Sequence, residues 1–186
     1  MLFDVSALLF DLDGTLVDTR AANYAAYAAA LAEIGVEIDE AAFNTLADGR
    51  NWRWFLPRIL GPEAHQSPAV AARKVELYPD LVGQARPNPQ MIALARAAHG
   101  HVPTAVVTTA SAANAGAVLK RHGLAGLFDL VVSGDDVTRH KPDPEAYALA
   151  AARLGVSPAR CLAFEDSDAG AASATAAGVT VIRVSL

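Results

Sequence analysis

Asp11 and Asp13 stand one residue apart in "LLFDLDGTLVDT", behind an apolar run and directly ahead of Gly14 and Thr15. Carboxylates set into apolar chain are costly unless paired or bound to a cation. A carboxylate at Asp11 can attack phosphorus and form an acyl phosphate, splitting one displacement into two. A second at Asp13 can protonate the leaving oxygen and later activate water. Three further segments carry groups of matching chemistry: Thr108 and Thr109 in "VVTTAS", Lys141 in "HKPDPEAY", and Glu165 with Asp166 in "FEDSDAG". The Thr108 hydroxyl, the Lys141 ammonium and the amides around Leu12 and Asp13 would stabilise charge on a transferring phosphoryl group. Gly14 lets the backbone approach phosphate closely. Each segment alone has an ordinary reading, "DLDG" as an Asx turn and "EDSDAG" as a helix N-cap. Together their carboxylates would repel one another without a cation, and an all-oxygen donor set suits Mg²⁺.

The elements that would bring these segments together follow from hydropathy. Apolar runs at Ala7–Phe10, Thr104–Thr108, Asp129–Ser133, Cys161–Glu165 and Val179–Val184 read as strands buried on both faces. Helical patterns lie between them at Asn88–Ala98, Ala112–His122, Pro144–Leu154 and Ala169–Ala176, with Gly100, Gly123, Gly155 and Gly178 as stops. The alternation predicts an α/β fold, a Rossmann-like doubly wound parallel sheet of about five strands. All four reactive segments then meet at the carboxyl edge of the sheet. Residues 20–84 contain no convincing strand and read as an inserted all-helical cap, leaving 1–19 and 85–186 as the core. Within the cap, Tyr24, Tyr27, Ala28, Leu31 and Ile34 share one helix face, and "NTLADGRNWRWFLPRIL" reads as one further helical stretch.

Composition narrows the partners. The 186 residues are 53% hydrophobic and carry a net charge of −5, and no Lys/Arg stripe forms. No nucleic-acid or membrane partner is expected. The one cysteine, Cys161, sits in an apolar run and reads as a small buried side chain rather than a nucleophile. The N-terminus lacks a basic n-region and a cleavage site, so the expected location is cytoplasmic. The last strand, "VIRVSL", would form an exposed sheet edge, which bears on oligomeric state; a monomer or weak homodimer is expected.

In order and spacing, "DLDGTLVDT", "VVTTAS", "HKPDPEAY" and "FEDSDAGAASATAAGV" resemble the four motifs of the haloacid-dehalogenase-like hydrolase superfamily. The insertion resembles its helical C1-type cap, and "ARKVELYPDLV" looks like the beta-phosphoglucomutase and phosphoglycolate phosphatase branch. The resemblance implies Asp11 as nucleophile and metal ligand, and Asp13 as acid/base and metal ligand through its carbonyl. It further implies phosphate binding at Thr108, charge neutralisation at Lys141, and Mg²⁺ on Glu165 and Asp166. Lys74 matches a cap lysine of that branch. The mutases of the branch carry a histidine where this chain has Asn23. They also carry a Lys-Gly-Val-Ser-Arg-like cap loop, where this chain has "ADGRNWRW", with Asp48 for the lysine and Trp52 roughly for the arginine.

These departures favour a Mg²⁺-dependent phosphatase acting on a small phosphorylated metabolite through an aspartyl phosphate. The alternatives are a sugar-phosphate mutase and a non-enzymatic phospho-receiver module, against which the cap and the acid/base neighbour of the nucleophile argue. Candidate substrate contacts are Thr109, Ser111 and Asn114 at the second motif and Arg50, Trp52 and Lys74 in the cap. Arg50 and Arg53 are ordinary as surface cations, Ser111 as a helix N-cap, and one of Trp52 and Trp54 as cap core. Asp143 is expected to orient Lys141.

Overall fold

A computed structural model describes residues 5–47 and 50–185; Asp48, named above in the cap loop, lies outside them. The strands are β1 (Ala7–Phe10), β2 (Val17–Asp18), β3 (Arg86–Pro87), β4 (Thr104–Val107), β5 (Leu130–Val132), β6 (Cys161–Glu165) and β7 (Thr180–Arg183). The α-helices are α1 (Arg20–Ala32), α2 (Glu40–Ala47), α3 (Trp52–Leu60), α4 (Ser67–Leu81), α5 (Pro89–Ala98), α6 (Ala112–Arg121), α7 (Glu145–Leu154) and α8 (Asp168–Ala176).

Five strands form a parallel sheet in the order β5-β4-β1-β6-β7. The chain winds outward from β1 through β4 to β5, then crosses to β6 and β7, so the winding direction reverses beside β1. Ligands of open α/β sheets bind at such a switch point, outside the carboxyl ends of the strands. Alternation along β1 sends Leu8 and Phe10 into one apolar cluster and Ala7 and Leu9 into the other. The register places Phe10 beside Phe164, and their rings stack with centroids 5.0 Å apart. β7 forms one edge of the sheet, with Ile182 45% exposed.

Helices α1–α4 fill the insertion after β1. The chain leaves and re-enters the core through an antiparallel ribbon, with Val17 opposite Pro87 and Asp18 opposite Arg86. The apolar face expected of the first cap helix holds for Tyr24, Tyr27 and Leu31 but not for Ile34, and the helix carries a second buried face. Tyr27 and Leu31 enter the cap cluster, but Ala22 and Ala26 turn to the core cluster, and Ile34 lies beyond the helix end, 39% exposed. The stretch read as one helix is two, because the Asn51 side chain caps a new start at α3. No helix among the described residues is long and apolar enough to cross a membrane.

Candidate active site

β1 ends by delivering Asp11, whose amide donates to the Phe164 carbonyl at 3.0 Å and so extends the ladder by one residue. The chain then bends, with the Gly14 amide donating to the Val17 carbonyl at 2.8 Å. Gly14 holds φ +95°, and a Cβ there would stand 1.9 Å from Oδ2 of Asp166. Glycine is required twice over, by the left-handed backbone and by the carboxylate packed against it.

Lys141 is 5% exposed, and its ammonium meets three acceptors: Asp11 Oδ1 at 2.7 Å, Glu165 Oε1 at 2.5 Å and the Val107 carbonyl at 2.9 Å. Its three donors are thereby spent. Burial works against this charge, but the two carboxylates outweigh it and hold Lys141 protonated well beyond the usual lysine range. Glu165 is fully buried and also accepts from the Tyr147 hydroxyl at 2.7 Å and the Ser167 hydroxyl at 3.2 Å. A Cβ on Gly170 would meet the Glu165 carboxylate at 2.0 Å. Burial pushes the Asp11 carboxyl well above the ordinary carboxylate range; Lys141 opposes this, while Glu165, Asp166 and Asp13 add to it.

Asp13 occupies the other side of the bend. It accepts from the Thr108 hydroxyl at 3.2 Å, from the Thr19 hydroxyl, and from Asn23 Nδ2 at 3.5 Å. Thr19 stands at the N-cap position of α1, yet its hydroxyl serves Asp13 rather than the helix. Thr108 also accepts from the Ala110 amide at 3.0 Å. It is therefore Thr108, not Thr109, whose hydroxyl contacts the Asp13 carboxylate.

Asp11, Glu165 and Asp166 each offer an oxygen within 4.8 Å of the others. Three hard oxygen donors on a rigid edge fit a divalent cation such as Mg²⁺, which would relieve the repulsion that adds to burial in raising Asp11. The Asp13 side chain turns away toward Thr19 and Thr108, so a metal contact from Asp13 would fall to its carbonyl.

A cavity of about 140 Å³ opens between cap and core over Asp13. All six residues named from sequence as substrate contacts line it: Arg50, Trp52, Lys74, Thr109, Ser111 and Asn114. Ser111 does cap α6 as well, accepting from the Asn114 amide at 3.3 Å. Lys74 is 3% exposed and donates to Asn23 Oδ1 at 2.8 Å. Both tryptophans pack against the cap cluster. Trp54 lies under the guanidinium groups of Arg50 and Arg58, and Trp52 under that of Arg53.

Asp143 does not orient Lys141. It accepts from the Glu145 amide at 3.0 Å and pairs with Arg139 at 3.2 Å, serving the start of α7 instead. Besides Asp11, the groups that hold Lys141 and its partner Glu165 are Val107, Tyr147 and Ser167. Tyr147 was legible only as an aromatic in the first turn of α7, and Asn51 only as a polar residue ahead of an apolar helix.

A family model for haloacid dehalogenase-like hydrolases matches residues 5–178. Fructose-1-phosphate phosphatase YqaB of Escherichia coli is 36% identical over 183 residues, which are 97% of this chain and 97% of that protein. Validoxylamine A 7'-phosphate phosphatase of Streptomyces hygroscopicus is 32% identical over 174 residues, 92% of this chain and 81% of the other. The crystal structure of CbbY from Rhodobacter sphaeroides in complex with phosphate superposes with a TM-score of 0.89 at 29% identity, covering 98% of this chain and 87% of that one. The four motifs at one sheet edge, the cap above them and these likenesses agree: the chain belongs to the haloacid dehalogenase-like hydrolase family.

Proposed function

We propose that this enzyme, a phosphomonoester hydrolase, uses Asp11 as its nucleophile and Asp13 as its acid/base, with Mg²⁺ held by Asp11, Glu165, Asp166 and the Asp13 carbonyl. Residues 20–84 act as the cap, and residues 1–19 and 85–186 as the core. The observation that carries this reading is the Lys141 ammonium bridging Asp11 and Glu165 beside the Thr108–Asp13 pair. Asp11 attacks phosphorus as the ester P–O bond breaks, and the Asp13 carboxyl protonates the departing alcohol oxygen. Water then attacks the aspartyl phosphate while Asp13 takes its proton, releasing inorganic phosphate and restoring Asp11. Lys141, the Thr108 hydroxyl and the amides of the bend stabilise the equatorial oxygens. Bound Mg²⁺ supplies charge neutralisation at the phosphoryl group.

The walls of the cavity indicate the leaving group. Ser111 and Asn114 present a hydroxyl and an amide, Arg50 and Lys74 present cationic groups, and Phe43, Phe55 and Trp52 supply apolar surface. That mixture suits a hydroxylated alcohol, and the likeness to the fructose-1-phosphate phosphatase points the same way, to a sugar or polyol monophosphate. Asn23 beside Asp13 has no titratable proton, which favours the phosphatase over the mutase. The reading also has the enzyme cytoplasmic, a monomer or weak homodimer, with no nucleic-acid partner.

Phosphate release from a panel of sugar and polyol phosphates, with Mg²⁺ and with chelator, tests it. Metal-dependent release abolished by Asp11→Asn is expected. A panel giving no free phosphate, with an isomerised sugar phosphate instead, would transfer the assignment to the mutase.

A further inference from the structure

Asn51, one residue ahead of α3, uses one amide for two purposes. Its Oδ1 accepts from the Arg53 amide at 3.0 Å, which caps the helix. Its Nδ2 reaches from cap to core and donates to the Thr109 carbonyl at 3.3 Å. The side chain is not an incidental surface contact, since Asn51 is only 8% exposed. The acceptor stands on fixed ground. The Gly134 amide holds the Ala110 carbonyl at 2.7 Å, and a Cβ on Gly134 would stand 2.5 Å from the Thr109 carbonyl oxygen. The Thr108 hydroxyl holds the Ala110 amide from the other side, at 3.0 Å.

The segment that would bind phosphate is thus immobilised from within the core, and the cap loop comes to it. Behind that loop, Phe55 of α3 packs on Tyr27 and Phe43 with ring centroids 5.1 and 5.6 Å apart, so the cap can carry the loop as one body. Asn51 also lines both the cavity over Asp13 and a second one lined by Arg53, Trp54, His140 and Pro142.

We propose that Asn51 is a positioning residue: its Nδ2–H···O=C bond to Thr109 latches the α3 end of the cap onto the phosphate-binding loop and holds Trp52 over the bound ester. This rests on the cleft being the substrate site. The two duties of the amide separate by substitution. Asn51→Asp keeps an oxygen to cap α3 but has no donor, and it sets a negative oxygen against the carbonyl. Asn51→Ser also caps a helix but is uncharged and too short to reach Thr109.

Both variants are made in a Trp54→Phe background, so that Trp52 alone reports on the cleft. Without substrate, acrylamide quenching of Trp52 rises about twofold in both variants as the cap samples open states, while far-UV circular dichroism is unchanged. With substrate, loss of one neutral hydrogen bond raises KM about fivefold and leaves kcat within twofold. Quenching at the parental level in Asn51→Ser overturns the latch, as does an effect confined to Asn51→Asp, which would be charge repulsion alone. Lost helix signal in both variants would assign the residue to capping and also overturn it. The quenching arm needs no turnover, so a failure of the hydrolase reading is seen separately.

Discussion

Two buried lysines in the site meet opposite electrostatic fates, and their partners explain why. Lys141 has two carboxylates and a carbonyl within hydrogen-bond reach. Lys74 donates to the Asn23 amide oxygen at 2.8 Å and lies over the faces of Tyr78 and Tyr27, 3.6 and 5.2 Å from their ring centres. Burial therefore pushes the Lys74 ammonium down to about 7, with Asp13 resisting too weakly to prevent it. The charge is present below that pH and lost as pH rises through it. The pH profile of kcat/KM reports groups of the free enzyme, so kcat/KM is expected to fall through a limb near pH 7 on the alkaline side. Lys74→Met should cost about tenfold on the acid side, where a charged donor is removed, and should flatten that limb. A limb that persists in the variant would assign it to another group. At this scale the motif carboxylates, Thr108 and Lys141 were legible because two-residue spacings and strand ends fix their positions. Asp143 was misread because its neighbour in sequence is Lys141 while its neighbours in space are Arg139 and Glu145.

Among elements, the one that ties the motif-one bend to the rest is the start of α5. Asn88 is 2% exposed; its Oδ1 accepts from the Gln90 and Met91 amides, and its Nδ2 donates to the Thr15 carbonyl at 3.0 Å. Its own amide donates to the Leu16 carbonyl at 2.8 Å. Asn88→Ala removes a helix cap and strands a buried carbonyl, which together should cost about 2–3 kcal/mol in urea unfolding. Asn88→Asp keeps the cap and should lose only the part owed to Thr15; equal losses in the two would mean that the carbonyl bond contributes nothing. The sequence located each main-sheet strand closely, because runs buried on both faces stand out against helical periods. The ribbon of β2 and β3 went unseen, since two residues carry no period. The break between α2 and α3 falls in the short polar run "DGRN", which was read through because apolar residues flank it on both sides; the capping amide of Asn51 marks the restart.

For the whole molecule, the question is whether the cap is a body of its own. Its cluster is built from Tyr27, Ala30, Leu31, Phe43, Phe55, Leu56, Leu60, Val70 and Ala71, a small core for independent stability. Two of its helices serve the other core as well: Ala22 and Ala26 of α1, with Tyr78 of α4, belong to the cluster that includes Phe10 and Phe164. The sequence showed the insertion as helical but not this sharing, because alanines on a second face read as helix propensity rather than as contact. Helices common to two clusters couple them, so cap and core should unfold together. The chain offers a direct probe, for both tryptophans lie in α3 and report on the cap, whereas far-UV circular dichroism reports on helices throughout. Their denaturation midpoints are expected to coincide within about 0.2 M urea, a difference of roughly 0.2–0.6 kcal/mol. A fluorescence transition that precedes loss of helix signal would show the α3 end coming away first. That result would shift the burden of holding the site closed from the shared helices to the single amide at Asn51.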